Sequence, residues 1–145
     1  MPDANNDPIV FHPIGRVRHA AASVPRHWSV SDVEGELVID PAYAPGLADV
    51  RVGQRIVVLF HFDRSPVFTP ERLVQRPPHR DRELGVFSIC SPRRPNALGL
   101  SVLEVLGVDS GTVRVRGVDM FDGTPIIDLK PWITGDHDCP STDRE

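Results

Sequence analysis

The 145-residue sequence has few cysteines and no long apolar run. Its two cysteines, Cys90 and Cys139, are too few for a disulfide framework, and neither lies at a convincing metal-ligand spacing from other Cys or His residues. We therefore expect reduced thiols and no metal site. No apolar run approaches the roughly 18 residues of a membrane span, and the first residues lack the basic-then-apolar order of a signal peptide. The expected location is the cytoplasm, with no membrane partner.

Lysine is almost absent, because Lys130 is the only lysine among 16 basic side chains. The net charge of −4 argues against broad, non-specific binding of nucleic acid. The charge is unevenly spread: seven arginines lie within residues 64–94, and seven acidic residues lie within 119–145. Arginine binds phosphate and carboxylate in a bidentate manner. The segment 64–94 is therefore either an anion-binding surface or a solvated loop.

No G-x-G-x-x-G motif follows a strand, so a Rossmann dinucleotide site is not indicated. The chain instead contains short strand patterns separated by Gly, Pro and Asp. The predicted strands are 10–17, 36–39, 55–62, 84–89, 112–116 and 125–132. Residues 96–107 fit either a capped helix or a strand. This pattern predicts a mostly β fold, a small closed or nearly closed β-barrel with short helices or loops.

Two of these strands have especially clear patterns. Residues 55–62 form a continuous β-branched and aromatic run, which is typical of a strand buried on both faces. Residues 112–116 alternate, with Val113 and Val115 predicted inside, and residues 109–112 predict a hairpin turn. We expect one domain at 9–134, a disordered N-terminus at 1–8 and an acidic flexible tail at 135–145.

Two stiff polar turns adjoin apolar segments, S-P-R-R-P-N at 91–96 and D-G-T-P-I-I-D-L-K-P at 122–131. Pro95 and Pro125 fix φ, whereas Gly99 and Gly123 permit backbone shapes that other residues resist. Turns of this composition indicate a functional site more than a simple connection between strands. The residues expected to shape them are Pro95, Asn96, Asp122, Gly123, Asp128 and Lys130.

The order and spacing of several motifs carry a resemblance to a known family. They are I-G-R-V-R at 14–18, V-P-R at 24–26, G-V-F at 85–87, S-P-R-R-P-N at 91–96, G-L-S at 99–101, D-G-T-P at 122–125 and D-L-K-P at 128–131. Over roughly residues 9–134 the chain resembles the TrmO (TsaA-like, VirR-like) family. The resemblance implies a small β-barrel that binds S-adenosylmethionine and acts as a homodimer. It also implies methylation of N6 of threonylcarbamoyladenosine beside the anticodon of tRNA, and a strand at 96–107.

The resemblance implies a cofactor pocket built from four stretches of the chain. Its candidate residues are His27, Trp28, Ser29, Val30, Phe62, Asp63, Cys90, Arg94, Val102, Val118, Asp119, Met120 and Phe121. A pocket for this cofactor needs an acid for its cationic end, a partner for its carboxylate and an apolar slot for adenine. Arg94 is expected either to bind the carboxylate or to pair with Asp128 and hold the two turns together.

The remaining functional residues are assigned by chemistry. A base near the acceptor nitrogen would assist methyl transfer, and the candidates are Asp119, Asp63 and His61. The residues expected to bind tRNA phosphates are Arg76, Arg80 and Arg93. The histidines without ligand-like spacing, interpreted as surface or strand-filling residues, are His12, His19 and His79.

The chain departs from the family pattern at two places. Cys90 stands where many members have Arg, and the strand end Phe62-Asp63-Arg64 is nearer to the family's W-L-D-R form than to F-H-x-Q. These departures leave two alternatives open: a methyltransferase for another acceptor, or a non-catalytic module that binds S-adenosylmethionine.

Overall fold

A computed structural model describes residues 6–134 of the chain. Its eight strands are β1 (Gly15–Arg18), β2 (Glu34–Ile39), β3 (Arg55–His61), β4 (Val74–Gln75), β5 (Leu84–Gly85), β6 (Leu98–Asp109), β7 (Thr112–Arg116) and β8 (Pro125–Pro131). Short 3-10 helices are formed by Trp28–Val30, Ala44–Leu47, Pro70–Leu73 and Val86–Ser88. The predictions for the first five residues and for the tail 135–145 lie outside the described residues.

Six of the strands close into an antiparallel barrel in the order β1-β2-β7-β6-β3-β8, with β8 returning to β1. The predicted mostly β barrel is therefore confirmed. The barrel closes through only two residue pairs between β1 and β8, Gly15 with Ile126 and Arg16 with Pro125. Strands β4 and β5 form a separate two-stranded sheet within the segment that connects β3 to β6.

The barrel interior is filled by alternate side chains of each strand, as the pleat of a strand requires. In β7, Val113 and Val115 are fully buried, whereas Arg114 and Arg116 are exposed. The hairpin before it turns through Ser110 at φ 47° and Gly111 at φ 86°. Consecutive positive φ values are typical of the tight turns that match strand twist. Both predictions for this region are confirmed.

Strand β3 is buried on both faces over part of its length. Ile56, Val58 and Phe60 belong to the main core, and Val57 on the opposite face is also buried. Its neighbour across the outer face is Val102 of β6, which is buried as well. The continuous apolar run thus predicts the burial correctly.

Two predicted strands are shorter than the sequence indicates. The strand expected at 10–17 begins only at Gly15, and Pro13 just before it has no N–H to donate to a ladder. The strand expected at 84–89 ends at Gly85, because Val86–Ser88 turn into a 3-10 helix that the Ile89 N–H closes onto the Val86 carbonyl. The segment that fitted helix or strand is strand β6.

Candidate functional site

The motif-bearing loops meet at one end of the barrel. Strands β3 and β7 finish there at His61 and Arg116, while β6 and β8 begin there at Leu98 and Pro125. The antiparallel pairing therefore places the segments 62–97 and 117–124 on the same end, together with the connection 19–33 between β1 and β2. We call this end of the molecule the motif end. The four stretches that the resemblance implies all belong to it.

Asp119 is the central polar residue of the motif end. It follows β7 and is partly buried, and its Oδ1 accepts a hydrogen bond of 2.5 Å from Ser101 Oγ. Ser101 lies on the inner face of β6, opposite Val58 of β3, and is fully buried. A buried hydroxyl that donates to a carboxylate holds that carboxylate in one orientation. The bond joins two of the predicted stretches, β6 and the segment that leads into D-G-T-P.

Burial raises the pKa of the Asp119 carboxyl above its ordinary value. The Ser101 hydrogen bond, the charge of His27 and the backbone N–H of Trp28 act in the opposite direction and are outweighed. The carboxylate is thus more basic than an exposed one, and a cation placed beside it would be attracted in a poorly solvated setting. Perturbed carboxylates of this kind concentrate at functional sites.

The segment His27–Val30 covers one side of Asp119. His27 Nδ1 lies 2.7 Å from Ser29 Oγ and accepts the Ser29 N–H, so the imidazole caps the 3-10 helix. The rings of His27 and Trp28 lie 5.0 Å apart, and Trp28 packs against the barrel core, while Ser29 and Val30 are exposed. Trp28 is therefore anchored to the fold and adjoins the carboxylate through its backbone.

This segment is fastened to the Asp119 segment by a second side chain. Ser31 Oγ donates to the Val118 carbonyl at 2.6 Å, and the Gly117 and Val118 N–H groups both donate to the Val33 carbonyl. Val118 and Met120 are buried in the core on either side of Asp119. Their side chains fill the barrel, so they support the position of Asp119 more than they present a surface.

Arg64 connects the end of β3 to the D-G-T-P turn. Its Nη2 donates to the Asp122 carbonyl at 2.6 Å, and its guanidinium carbon lies 5.2 Å from the ring centroid of Phe121. Phe62, two residues earlier, packs edge-to-face on Phe60 with ring centroids 4.9 Å apart. The aromatic rings of Phe62 and Phe121 thus belong to segments that the structure ties together. Arg64 is not among the site residues that the sequence predicts.

The S-P-R-R-P-N turn lies next to this connection. Arg94 Nη1 donates to the carbonyls of Ile89 and Ser91, at 3.0 and 3.2 Å. Ser65 Oγ donates to the Pro92 carbonyl, and Gln75 Nε2 donates to the Arg93 carbonyl, so the turn is held from both flanking segments. Arg94 therefore stabilises its own turn. Pro95, Asn96 and Cys90 are exposed on it.

The D-G-T-P turn is held by β1 and by its own threonine. Gly123 adopts φ 86° and donates its N–H to the Val17 carbonyl, and Arg16 Nη1 donates to the Gly123 carbonyl. Thr124 Oγ1 closes the turn onto the Phe121 carbonyl at 2.7 Å. Asp122 and Gly123 thus lie in a turn that is held by contacts from β1 and from Thr124.

The pairing of Arg94 with Asp128 does not form. Asp128 lies 3.5 Å from Lys130 and accepts the Leu129 N–H, on the part of β8 that pairs with β3. Arg94 bonds carbonyls of its own turn instead. Local carbonyl acceptors thus take the place of the long-range ion pair, and Asp128 and Lys130 act within β8.

Most of the other candidate bases and phosphate-binding residues are exposed. His61 and Asp63 are exposed at the end of β3, whereas Asp119 is partly buried. Arg76 and Arg80 are exposed in the segment between β4 and β5, and Arg93 is half-buried. Asp119 is consequently the best placed of the three candidate bases.

A cavity of about 760 Å³ lies at the other end of the barrel, lined by residues of the segment 41–52 and by Val108, Ser110 and Gly111. Ser101 and Asp109 are eight residues apart along β6, about 26 Å at strand spacing. The cavity is therefore remote from Asp119 and from the motif loops. Within residues 6–134, no cluster of three His, Cys, Asp or Glu side chains could hold a metal ion, and no helix is long and apolar enough to cross a membrane.

Comparison with known proteins identifies the family. The model of the tRNA-methyltransferase O N-terminal domain matches residues 18–139. The chain belongs to this family. The match spans all the strands from β2 to β8 and every motif loop described above.

Relatives of similar length are named for cofactor binding. An S-adenosyl-L-methionine-binding protein of Archaeoglobus fulgidus is 35% identical over 134 residues, covering 90% of this chain and 94% of the relative. A longer probable S-adenosyl-L-methionine-binding protein of the same organism is 37% identical over 111 residues, and the match spans only 30% of it.

Relatives named as methyltransferases are longer than this chain. The tRNA (adenine(37)-N6)-methyltransferase of Homo sapiens is 38% identical over 88 residues, which is 61% of this chain and 20% of the relative. Crystallised TrmO from Pseudomonas aeruginosa superposes with a TM-score of 0.68 at 25% identity, covering 95% of this chain and 60% of that one. The barrel is thus shared with a longer protein.

Proposed function

We propose that this TrmO-family chain is an S-adenosylmethionine-dependent methyltransferase that methylates N6 of an adenosine in tRNA. The proposed acceptor is threonylcarbamoyladenosine beside the anticodon. The observation that carries the proposal is Asp119, a partly buried carboxylate of raised pKa, at the barrel end where the family's motif loops meet. The names of the human methyltransferase and of the Archaeoglobus binding protein support it.

The side chains of the motif end suit S-adenosylmethionine. When bound, this cofactor supplies an electrophilic methyl group on a sulfonium. A cationic ligand would be attracted by the Asp119 carboxylate, and a flat adenine would find aromatic surface at Trp28, Phe62 or Phe121. The described residues therefore provide both the charge and the apolar contact that such a ligand needs. His27, Ser29 and Val30 belong to the segment beside Asp119, whereas Val102 lies on the outer face of β6, opposite Val57.

Asp119 is our candidate for the catalytic base. An exocyclic adenine nitrogen is a weak nucleophile because its lone pair is delocalised into the ring, and a carbamoyl substituent makes its N–H more acidic. Ser101 occupies one carboxylate oxygen, and the other could accept the acceptor's N6 proton. A base of raised pKa is better suited to this task than the exposed Asp63 and His61.

Arg76 and Arg80 are our candidates for phosphate contacts. Both are exposed in the segment between β4 and β5, which belongs to the same connection as the S-P-R-R-P-N turn and Arg93. Exposed arginines can neutralise phosphates without reading sequence. This arrangement would bring the tRNA backbone to the motif end of the barrel.

We further propose a cytoplasmic homodimer that uses the outer face of β6. Leu98 and Leu100 are 45% and 51% exposed on this face, where Leu100 lies opposite Leu59 of β3. Apolar side chains side by side on an outer strand face are suited to a subunit contact. The face begins at the motif end, so a dimer formed there would bring two sites near the subunit boundary.

A second candidate function is a module that binds S-adenosylmethionine without transferring its methyl group. The relative that this chain matches over 94% of its length is named for binding, whereas the chain spans only a fifth of the human methyltransferase. Both functions require the cofactor. They differ in whether a methylated product forms.

The test combines binding and product analysis on the same protein. We expect calorimetry to detect S-adenosylmethionine at micromolar Kd, about −8 kcal/mol. Incubation with tRNA that lacks this modification should then add one methyl group to the modified adenosine, detected by mass spectrometry of nucleosides. Binding without product would favour the module, and no binding at millimolar cofactor would refute both functions.

A further inference from the structure

Two polar groups of His19 are directed at the segment that carries Asp119. It follows β1 directly and is half-buried. Its backbone N–H donates to Asp122 Oδ1 at 3.0 Å, and its ring Nε2 lies 2.8 Å from the Met120 carbonyl oxygen. Its ring Nδ1 accepts the Ala21 N–H at 3.1 Å. The ring is therefore neither a free surface group nor a filler of β1, which corrects the interpretation drawn from spacing.

The partners of the ring define its tautomer. The Ala21 N–H can only donate, so Nδ1 must present a lone pair. The Met120 carbonyl can only accept, so Nε2 must carry the hydrogen. The neutral tautomer with hydrogen on Nε2 is the one that satisfies both contacts.

The Met120 carbonyl is a sensitive place to hold this segment. Residues 119–122 lie between β7 and β8 and take no part in the barrel ladders. The Met120 side chain is anchored in the core, and Asp119, one residue earlier, reaches Ser101 on β6. The Met120 carbonyl belongs to the peptide that joins Met120 to Phe121. A hydrogen bond to it therefore fixes the path of the backbone that carries the Asp119 carboxylate.

We propose that His19 is a positioning residue for Asp119, acting through the hydrogen bond from its Nε2 to the Met120 carbonyl. The inference rests on the proposed function for its catalytic consequence. The proposal adds His19 to the residues that hold Asp119. His19 follows β1, which lies across the barrel from β6, the strand of Ser101. Its effect is on geometry, so it should alter kcat at saturating substrates more than KM.

Three substitutions separate the contacts of His19. His19→Ala removes both ring contacts. His19→Gln keeps an N–H donor at the distance of Nε2, whereas His19→Asn keeps an acceptor near the position of Nδ1 and cannot reach Met120. The exposed His12, also outside the proposed site, supplies the control His12→Ala.

We expect His19→Ala and His19→Asn to lower kcat about tenfold, because small misplacements of a catalytic group are costly, and His19→Gln to recover most of it. A second readout is independent of catalysis: NMR titration of the Asp119 carboxyl. The pKa of Asp119 should change in His19→Ala and His19→Asn, because a displaced carboxylate alters both the burial that raises its pKa and the Ser101 hydrogen bond that lowers it.

The two readouts distinguish the failure of this inference from failure of the proposed function. If the wild-type protein methylates no tRNA, the proposed function fails and the Asp119 titration still tests the role of His19. An Asp119 titration and kcat unchanged in folded His19→Ala would overturn the inference. His19→Asn behaving like His19→Gln would also overturn it, since the Met120 contact would then have no effect.

Discussion

Replacing Asp119 with Asn tests the site with the least structural disturbance. The amide is nearly isosteric, and its oxygen can still accept the Ser101 hydroxyl hydrogen. The substitution removes the negative charge and the basicity together. If Asp119 accepts the N6 proton, kcat should fall about a hundredfold or more, which is the usual contribution of a general base. The affinity for S-adenosylmethionine should change much less.

The same substitution should stabilise the fold at neutral pH. Burial raises the pKa of Asp119 above its value in the unfolded chain, so the folded protein binds more protons between those two values. The free energy of unfolding therefore falls as pH rises through this interval, and it stays lower above it. Asp119→Asn lacks that loss. Its Tm should exceed that of the wild type at neutral pH, and the difference should disappear in acid below the unfolded pKa of about 3.9.

The assay pairs kcat with Tm across pH. Asp49→Asn is the control, because Asp49 is exposed and lies 3.7 Å from Arg51 in a different part of the chain. An Asp119→Asn protein with wild-type kcat would remove Asp119 from the chemistry. A lower Tm at neutral pH would refute the burial argument. A collapse of cofactor affinity with little further loss in kcat would make Asp119 the counter-charge of the cofactor in place of the base.

Four further perturbations have defined outcomes. Arg76→Ala combined with Arg80→Ala should weaken tRNA binding and reduce the slope of log affinity against log salt concentration by about one to two units, while S-adenosylmethionine affinity stays unchanged. The control Arg51→Ala should leave this slope unaltered. An unaltered slope in the double variant would exclude this segment from the RNA contact. Leu100→Asp should halve the mass measured by light scattering, whereas the control Val52→Asp, at another exposed position, should leave it unchanged. A wild-type mass for Leu100→Asp would exclude the outer face of β6 as the subunit contact. Gly15→Ala should lower the free energy of unfolding, measured by chemical denaturation, by roughly 3 kcal/mol, because a Cβ would lie 2.2 Å from the Val38 carbonyl oxygen. The control Gly46→Ala should have little effect, because a Cβ at Gly46 would meet open space. Arg94→Ala should lower the Tm, because two carbonyls lose their donor, at a cost of about 1–3 kcal/mol; an unchanged Tm would contradict the turn role.

The sequence predicts best where the signal is local. Alternation at Val113 and Val115 and the tight turn at Ser110 and Gly111 involve neighbouring residues, and both appear as expected. The prediction of a strand through Ile89 is wrong. Its apolar composition resembles a strand, but the chain curls into a 3-10 helix after Gly85. A strand needs a partner to pair with, and the apolar pattern does not indicate that the partner strand β4 is only two residues long.

The site is predictable only in part, because its contacts join distant residues. The resemblance alone selects the stretch of the chain that contains Asp119. Ser101, Arg64 and His19 act on that stretch from 18, 58 and 101 residues away in the sequence. Spacing rules based on neighbouring residues do not detect such contacts. The one signal for His19 is its place directly after the I-G-R-V-R motif, where β1 ends.

The geometry also links cofactor affinity to closure of the barrel. The motif loops are separate in sequence, and they meet because β1 returns to β8 and β6 lies between β3 and β7. The β1–β8 contact consists of two residue pairs, and the same strand carries Arg16 and Val17, which hold the D-G-T-P turn. Opening this seam would release the D-G-T-P turn, which follows Asp119 in the chain. A ligand that binds only the assembled site therefore stabilises the seam, in proportion to the logarithm of its concentration relative to Kd.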